Sequence, residues 1–357
     1  MKISFFGSSL LSAYWNGAAT YYRGILNALF ERGHRIVFYE PDAWDRQRHR
    51  DLTETDYAQT VVYPVDGESA VIEMVQKAAS ESDLLVKASG VGVFDALLEK
   101  AVLELRRPDT IVAFWDVDAA ATLERIGHDA SDPFRSLIPL YDVVLTYGGG
   151  DAVVQSYLGL GARRCLPIYN ALDPSTHHPA PADSSYDGAL SFLGNRLPDR
   201  EARVFEFFFR PAQANRRMRF ILGGSGWADA VPAYANVAYL GHVYTAAHNA
   251  FNSTPMAVLN VCRESMARCG YSPPTRLFEV AGAAGCLITD AWEGIEHFLE
   301  PGRECLVAKD GDEVGEQLRH LTRVQAKEIG HAALRRILGE HTYAHRAVEL
   351  ESLLRRL

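Results

Sequence analysis

Short apolar runs alternate with longer stretches of helical period along most of the chain. Lys2-Ile-Ser-Phe-Phe-Gly7 reads as a first strand that breaks at glycine. After a polar and aromatic loop, Ser8 to Gly17, the positions Tyr22, Ile25, Leu26 and Leu29 recur at helical spacing and predict a helix from about Ala18 to Arg32. Gly33 and His34 stop that helix, and Arg35-Ile-Val-Phe-Tyr39 reads as the second strand. The stretch from Pro41 to Asp56 is polar and reads as a surface loop or short helix. Alternation then resumes with a strand at Leu84 to Ala88, a helix from Val91 to Arg106 and strands at Thr110 to Trp115 and Tyr141 to Tyr147. Gly148-Gly-Gly-Asp151 opens another helix, and Arg164 to Tyr169 closes the set. Such alternation with short connections predicts a parallel sheet covered on both faces.

Between Asn170 and Tyr186 the period vanishes. This stretch is rich in Pro, Ser, Ala and Asp and reads as a linker, with His177 and His178 as solvated linker residues that have no ligand cluster nearby. The alternation then restarts. Strands are predicted at Gly188 to Leu193, Arg219 to Gly224, Val237 to Gly241, Pro255 to Val261 and Cys286 to Thr289, with a helix from Asp199 to Phe209 and a charged helical segment from Ala326 to Leu357. The expected organisation is an N-terminal domain over residues 1–170, a linker over 171–186, a second α/β domain over 187–340 and a terminal helix over 341–357.

Composition narrows the classes. The 357 residues suffice for two cores of about 150–180 residues each. Apolar content of 48% and charged content of 23% are those of a globular protein. A net charge of −9 gives no global electrostatic case for nucleic acid or an anionic membrane. No apolar run reaches the roughly 20 residues of a membrane span, and the first residues lack a signal-peptide core. Five cysteines without a Cys-x-x-Cys read as reduced thiols, so a cytoplasmic location is expected and no zinc site is argued.

The chemistry concentrates in Ser272-Pro-Pro-Thr-Arg-Leu-Phe-Glu-Val-Ala-Gly-Ala-Ala-Gly-Cys-Leu-Ile-Thr-Asp290. Two prolines set an extended approach, a helix starts at about Thr275, and Gly285 stops it before a buried strand. Arg276 and Glu279 lie one turn apart at the start of that helix, where a guanidinium suits phosphate and a carboxylate suits sugar hydroxyls. An i,i+3 pair stabilising an exposed helix is the plainer alternative. This stretch, with Glu293-Gly-Ile-Glu and Glu300-Pro-Gly-Arg-Glu304 after it, resembles the C-terminal half of GT-B glycosyltransferases, and within them the CgeB-like (spore maturation protein) group. The resemblance implies two Rossmann-like parallel-sheet domains facing a cleft, with the terminal helix returning to the N-terminal domain. It also implies that Glu279 holds the ribose of a nucleotide-sugar donor, with Thr275 and Arg276 beside it.

Other candidates follow from the same resemblance. Gly194-Asn-Arg-Leu-Pro-Asp-Arg200 would place Asn195, Arg196 and Arg200 at the donor pyrophosphate, while Gly223 and Gly224 would let backbone approach the ligand. Leu240-Gly-His-Val243 resembles the GT-B loop whose backbone reads the nucleobase, so His242 and Val243 would act through their main chain. Phe114-Trp-Asp-Val-Asp118 ends a strand; Asp118 is the candidate base and Asp116 the second choice, with a helix cap as the structural alternative for Asp118. Trp15, Asn16 and Gly17 are the candidate acceptor-side loop. The Glu-x7-Glu of sucrose-synthase-like retaining enzymes is incomplete, because Tyr271 stands at its first position, and retaining stereochemistry is not carried over.

The expected function is metal-independent transfer of a sugar from a nucleotide-diphosphate sugar, a substrate rather than a cofactor, to an unidentified acceptor. A nucleotide-sugar epimerase or hydrolase of the same fold, or a non-catalytic nucleotide-sugar-binding protein, are the alternatives.

Overall fold

The structure, a computed structural model, describes residues 1–14 and 16–357; Trp15 lies outside the described residues. The chain forms two compact units, one of Met1–Asn170 with Tyr343–Leu357 and the other of Ala171–Thr342.

The first unit is built on seven strands: β1 (Lys2–Phe6), β2 (Arg35–Pro41), β3 (Gln59–Tyr63), β4 (Leu84–Ala88), β5 (Ile111–Asp116), β6 (Val143–Thr146) and β7 (Cys165–Pro167). They pair in parallel in the order β3-β2-β1-β4-β5-β6-β7. The sheet is covered on both faces, which is why its central strands read as continuous apolar runs rather than alternating ones. Phe5 stacks on Phe38 at 5.4 Å between centroids and packs against Trp115 at 5.6 Å, so one aromatic cluster joins three strands. β3 and the helix Glu68–Glu81 are additions to the elements read from the sequence. β3 is the edge strand and is only partly buried, which weakens its apolar signal.

The last helix, Tyr343–Leu354, belongs to this unit. It packs on the helix Ala19–Glu31, where the Tyr343 ring lies over Gly24; a Cβ there would come within 2.1 Å of it. Glu351 receives Arg32 Nε at 2.9 Å and Nη2 at 2.7 Å, with His34 Nε2 at 3.0 Å. His34 thus fastens the terminal helix, in keeping with the structural role expected for it. The charged terminal segment is two helices rather than one: Arg323–Glu340 stays with the second unit, and the break falls at His341-Thr342.

The second unit carries β8 (Leu190–Leu193), β9 (Phe220–Gly223), β10 (Val237–Gly241), β11 (Ala257–Asn260), β12 (Leu287–Asp290) and β13 (Leu306–Ala308), parallel in the order β10-β9-β8-β11-β12-β13. Its core is again aromatic, with Phe192, Phe208, Phe209, Phe220 and Trp227 buried together. The first helix of this unit is longer than its pattern predicts. It runs from Pro198 to Ala214 and widens into a π-helical turn over Phe205–Phe209, just before Pro211, which has no N–H to offer the ladder. Residues 171–186 pack with this unit: Leu172 N donates to His341 O at 2.9 Å, and His177 is only 7% exposed. The expectation that both histidines of this stretch are solvated therefore fails for His177. Among the described residues no helix is long and apolar enough to cross a membrane.

Both sheets reverse their winding beside their first strand, at β1/β4 and at β8/β11. In open parallel sheets, ligand sites lie outside the strand carboxyl ends at this reversal.

Candidate functional site

In the second unit the loop that leaves β8 is locked to the loop that leaves β9. Gly194 N donates to Gly223 O at 3.0 Å, Arg196 N to Ser225 O at 2.9 Å, and Ser225 N to Asn195 Oδ1 at 2.9 Å. Trp227 Nε1 donates to Gly194 O at 2.8 Å. Gly224 holds φ +110°, and a Cβ there would fall 2.2 Å from Gly194 O. The close approach that Gly223 and Gly224 were expected to offer a ligand is an approach to the protein itself: a Cβ on Gly223 would meet Leu193 and Val243 at 2.7 and 2.8 Å. Asn195 likewise works as a loop tie.

This locked loop presents guanidinium groups of unequal freedom. Arg196 is committed, with Nη1 donating to both carboxylate oxygens of Asp229 at 2.8 and 2.9 Å and Nη2 to Glu201 at 2.6 Å. The neighbouring Arg200 has no carboxylate within ion-pair reach among the described residues; its Nη2 donates to Asn195 O at 2.8 Å. Burial lowers the Arg200 pKa, and the positive charges of Arg276 and Arg263 lower it further, with the Asp199 charge opposing them only in part. A cation held against burial and against like charges is relieved by an anion. Arg276 reaches the same strand end, its Nη2 lying 3.4 Å from Leu193 O.

Arg276 and Glu279 sit in the helix Thr275–Gly282, which starts at Thr275 after Pro274 with no side chain capping it. Its apolar side, Leu277, Phe278, Val280 and Ala281, is buried, so the other side is aimed by packing. Uncapped N–H groups at such a start, with a guanidinium one residue in, favour an anion. The Arg276–Glu279 ion pair is real, at 2.7 Å, but neither side chain is exposed (17% and 13%), contrary to the plain surface-pair reading. The contact is too poorly aligned to be a hydrogen bond, which leaves Glu279 Oε2 buried without one. Burial works against the Glu279 charge, yet Arg276 and then His177 and His248 outweigh it and hold its carboxyl below the ordinary range.

Two histidines complete this corner. His177, His248 and Glu279 bring one ligand-capable atom each to within 4.8 Å of one another. The expectation that no ligand cluster lies beside His177 is thus corrected: its partners come from the helices His248–Ser253 and Thr275–Gly282, far away in the chain. Burial lowers the pKa of both histidines and favours the neutral rings. Of the nucleobase candidates, His242 is exposed and stands edge-on to Tyr244 at 4.7 Å, while Val243 is buried and its carbonyl accepts from His248 Nε2 at 3.2 Å.

In the first unit, Asp116 and Asp118 part company. Asp116 is fully buried at the end of β5, where Oδ1 accepts from Thr122 Oγ1 at 3.0 Å and Asp118 N at 3.1 Å, and Oδ2 from the Tyr157 hydroxyl. Burial pushes its carboxyl above the ordinary aspartate range against these bonds. It is an anchor of the sheet. Asp118 is exposed and caps the helix Ala119–His128 through a long contact, 3.4 Å from Ala121 N. Of the acceptor-side loop, Trp15 lies outside the described residues and Gly17 is exposed. Asn16 is buried with its amide fully used, accepting from Ser8 Oγ and donating to Ser9 O and Ser12 O at 2.8, 2.8 and 3.0 Å. It therefore holds the loop together instead of meeting an acceptor.

From the sequence Arg196 and Arg200 are both candidates and His248 is not. The ion pairs that commit Arg196 and the long-range contact that brings in His248 leave no local pattern.

Residues 200–352 match a protein family described as "Glycosyl transferase-like". No curated protein sequence matches the chain. Solved structures share its fold at low identity. Sucrose-phosphate synthase from Thermosynechococcus elongatus superimposes with a TM-score of 0.73 at 11% identity, covering 100% of this chain and 98% of that one. Anabaena HepE in complex with UDP gives 0.72 at 14%, covering 100% of both chains. An alpha-glucosyltransferase in complex with UDP gives 0.68 at 9%, covering 99% and 98%. The fold is therefore that of the GT-B glycosyltransferases: two parallel-sheet Rossmann-like units, of seven and six strands.

Proposed function

We propose that the protein is a glycosyltransferase that takes a sugar from a nucleoside-diphosphate sugar bound by the second unit, with UDP as the first base to test. The observation that carries this reading is the meeting of three features at the reversal point of the second sheet. Arg200, which lacks a carboxylate partner, Arg276 and the uncapped start of the helix Thr275–Gly282 share one strand end, with Glu279 one turn into that helix. A diphosphate would lie against Arg200, Arg276 and the helix start, and the ribose diol would donate to Glu279. The family match over residues 200–352 and the UDP-bound structures of like fold support this placement. The CgeB-like assignment is kept as part of the proposal, on the motif from Pro274 to Asp290.

In transfer, the acceptor hydroxyl loses its proton to a base while its oxygen bonds to the sugar carbon, and the bond from that carbon to the diphosphate breaks. The guanidinium groups and helix N-terminus then face a growing negative charge on the departing diphosphate, so their effect is largest in the transition state. Asp118 is the proposed base, because it is exposed at a strand's carboxyl end whereas Asp116 is committed to the sheet. Product-anomer analysis assigns the stereochemistry.

Calorimetry with UDP, UDP-glucose and uridine tests the donor site. The diphosphate is expected to bind far more tightly than the nucleoside, and equal affinities would refute the site. Release of UDP only in the presence of an acceptor would establish transfer; release in water alone would identify a hydrolase.

A further inference from the structure

We propose that His177, His248 and Glu279 form a binding site for a single divalent ion of the zinc type, on the second unit and sharing Glu279 with the donor. The hydrogen bonds of the two rings fix where their lone pairs point. Thr176 Oγ1 lies 3.1 Å from Asp173 O, an acceptor, so its hydrogen is used there. At 3.0 Å from that oxygen, His177 Nδ1 must then be the donor, which leaves the lone pair on Nε2. His177 Nε2 is buried and has no hydrogen-bond partner among the described residues. His248 Nε2 lies 3.2 Å from Val243 O, which can only accept, so its lone pair is on Nδ1. Each imidazole thus gives its N–H to an oxygen and turns its lone pair away, as ring-orienting partners do for metal-bound histidines.

The third member is the Glu279 carboxylate, whose Oε2 makes no hydrogen bond among the described residues but faces Arg276 Nη1 at 2.7 Å. Two neutral nitrogens and one carboxylate converge, and a borderline cation with three protein ligands and an open fourth position fits that donor set. The three atoms span at most 4.8 Å. A tetrahedral ion with bonds of about 2.0–2.1 Å needs them about 3.3 Å apart, a change that side-chain rotation can supply. Arg276 opposes the ion by its charge, 2.7 Å from Glu279, but the carboxylate has a second oxygen to offer.

The consequence is exclusion. An ion held by Glu279 removes the acceptor that the ribose diol would use, so metal and nucleotide compete. This consequence rests on the proposed donor site; the metal site does not.

Cobalt(II) titration of the purified full chain provides the test, with zinc displacing the cobalt. One equivalent is expected to bind with visible bands of nitrogen and oxygen ligation and no thiolate charge-transfer band. His177→Gln and His248→Gln are each expected to weaken it by roughly 10–100-fold or more, the loss that even outer partners of a metal cause. Should His177→Gln fail to fold, His248→Gln at the half-buried position carries the comparison. No binding, a thiolate band, or affinity unchanged in His248→Gln would overturn the site. Uridine, used because its diphosphate would chelate the ion, is expected to weaken metal binding. Metal binding indifferent to uridine but lost in His248→Gln would uphold the ion site and remove Glu279 from the ribose.

Discussion

The two units share a winding but treat the loop after their first strand in opposite ways. In the first unit the loop after β1 closes on itself. Glu40, at the end of β2, accepts from Ser9 Oγ at 3.0 Å and Leu10 N at 2.7 Å, Asn16 ties Ser8, Ser9 and Ser12, and Arg23 is neutralised by Asp51 at 2.7 Å. In the second unit the loop after β8 is just as firmly held, by backbone bonds together with the Asn195 and Trp227 side chains, and guanidinium groups remain over the strand end. A satisfied polar network rigidifies, whereas charge left without a partner in a sheltered place calls for a ligand. Topology alone offers two equivalent crevices, and each holds one guanidinium without a carboxylate in ion-pair reach among the described residues, Arg46 in the first unit and Arg200 in the second; the proposed donor site takes the second because Arg276 and the start of the helix Thr275–Gly282 meet Arg200 there.

The largest expected effect tests whether the first unit supplies chemistry at all. Asp118→Asn keeps a helix cap but cannot accept a proton, so turnover is expected to fall roughly 10²–10⁴-fold with donor affinity and melting temperature unchanged. Turnover within a few-fold of the parent would reduce Asp118 to its cap. Next comes the donor side. Arg200→Ala is expected to weaken UDP by about 10–100-fold and uridine little, since hydrogen bonds to charged groups contribute about 1.5–3 kcal/mol each. Glu279→Ala should weaken both ligands by a similar factor. If Arg196→Ala hurts UDP more than Arg200→Ala does, the reading of Arg196 as a committed residue is wrong.

These variants also mark how far the sequence was legible. Two parallel sheets, apart from the edge strand β3, followed from short apolar runs, because strands buried on two faces need them. The helix Thr275–Gly282 began where Pro274 and Gly285 said it would. What stayed hidden was set by contacts distant in the chain. Arg196 and Arg200 are alike in sequence until Asp229, 33 residues on, takes the first. Asp116 and Asp118 differ only through Thr122 and Tyr157. His177 lies in a stretch of linker composition, and no period could announce that His248, 71 residues on, and Glu279 would stand beside it.

A smaller effect sharpens the contrast between the two loops. Gly224→Ala forces a Cβ to within 2.2 Å of Gly194 O at φ +110° and is expected to cost about 1–3 kcal/mol of stability, with UDP affinity falling as the 194–196 loop shifts. In the first unit Gly17 has nothing within 4 Å of a Cβ among the described residues, so Gly17→Ala should change the melting free energy by less than about 0.5 kcal/mol. Chemical denaturation of the two variants side by side decides it; equal losses would mean that the loops are not built differently.

The smallest effect concerns the terminal helix, which gives the first unit an acid-sensitive fastening. Glu351 is held by Arg32 first and His34 second, and these lower its carboxyl from an ordinary value of 4.5 to about 2. A carboxyl whose folded value is depressed contributes stability above its unfolded value, and that contribution drains away as pH falls from about 4.5 towards 2. Arg32 is 37% exposed, so solvent screens the pair and the contribution is about 0.5–1 kcal/mol, less than the shift alone would give. Glu351→Gln should therefore lower stability slightly at pH 7 and flatten its decline between pH 5 and 2. The same denaturation series in high salt should shrink the difference further, since exposed pairs are screened. A variant as acid-labile as the parent would place the acid sensitivity elsewhere.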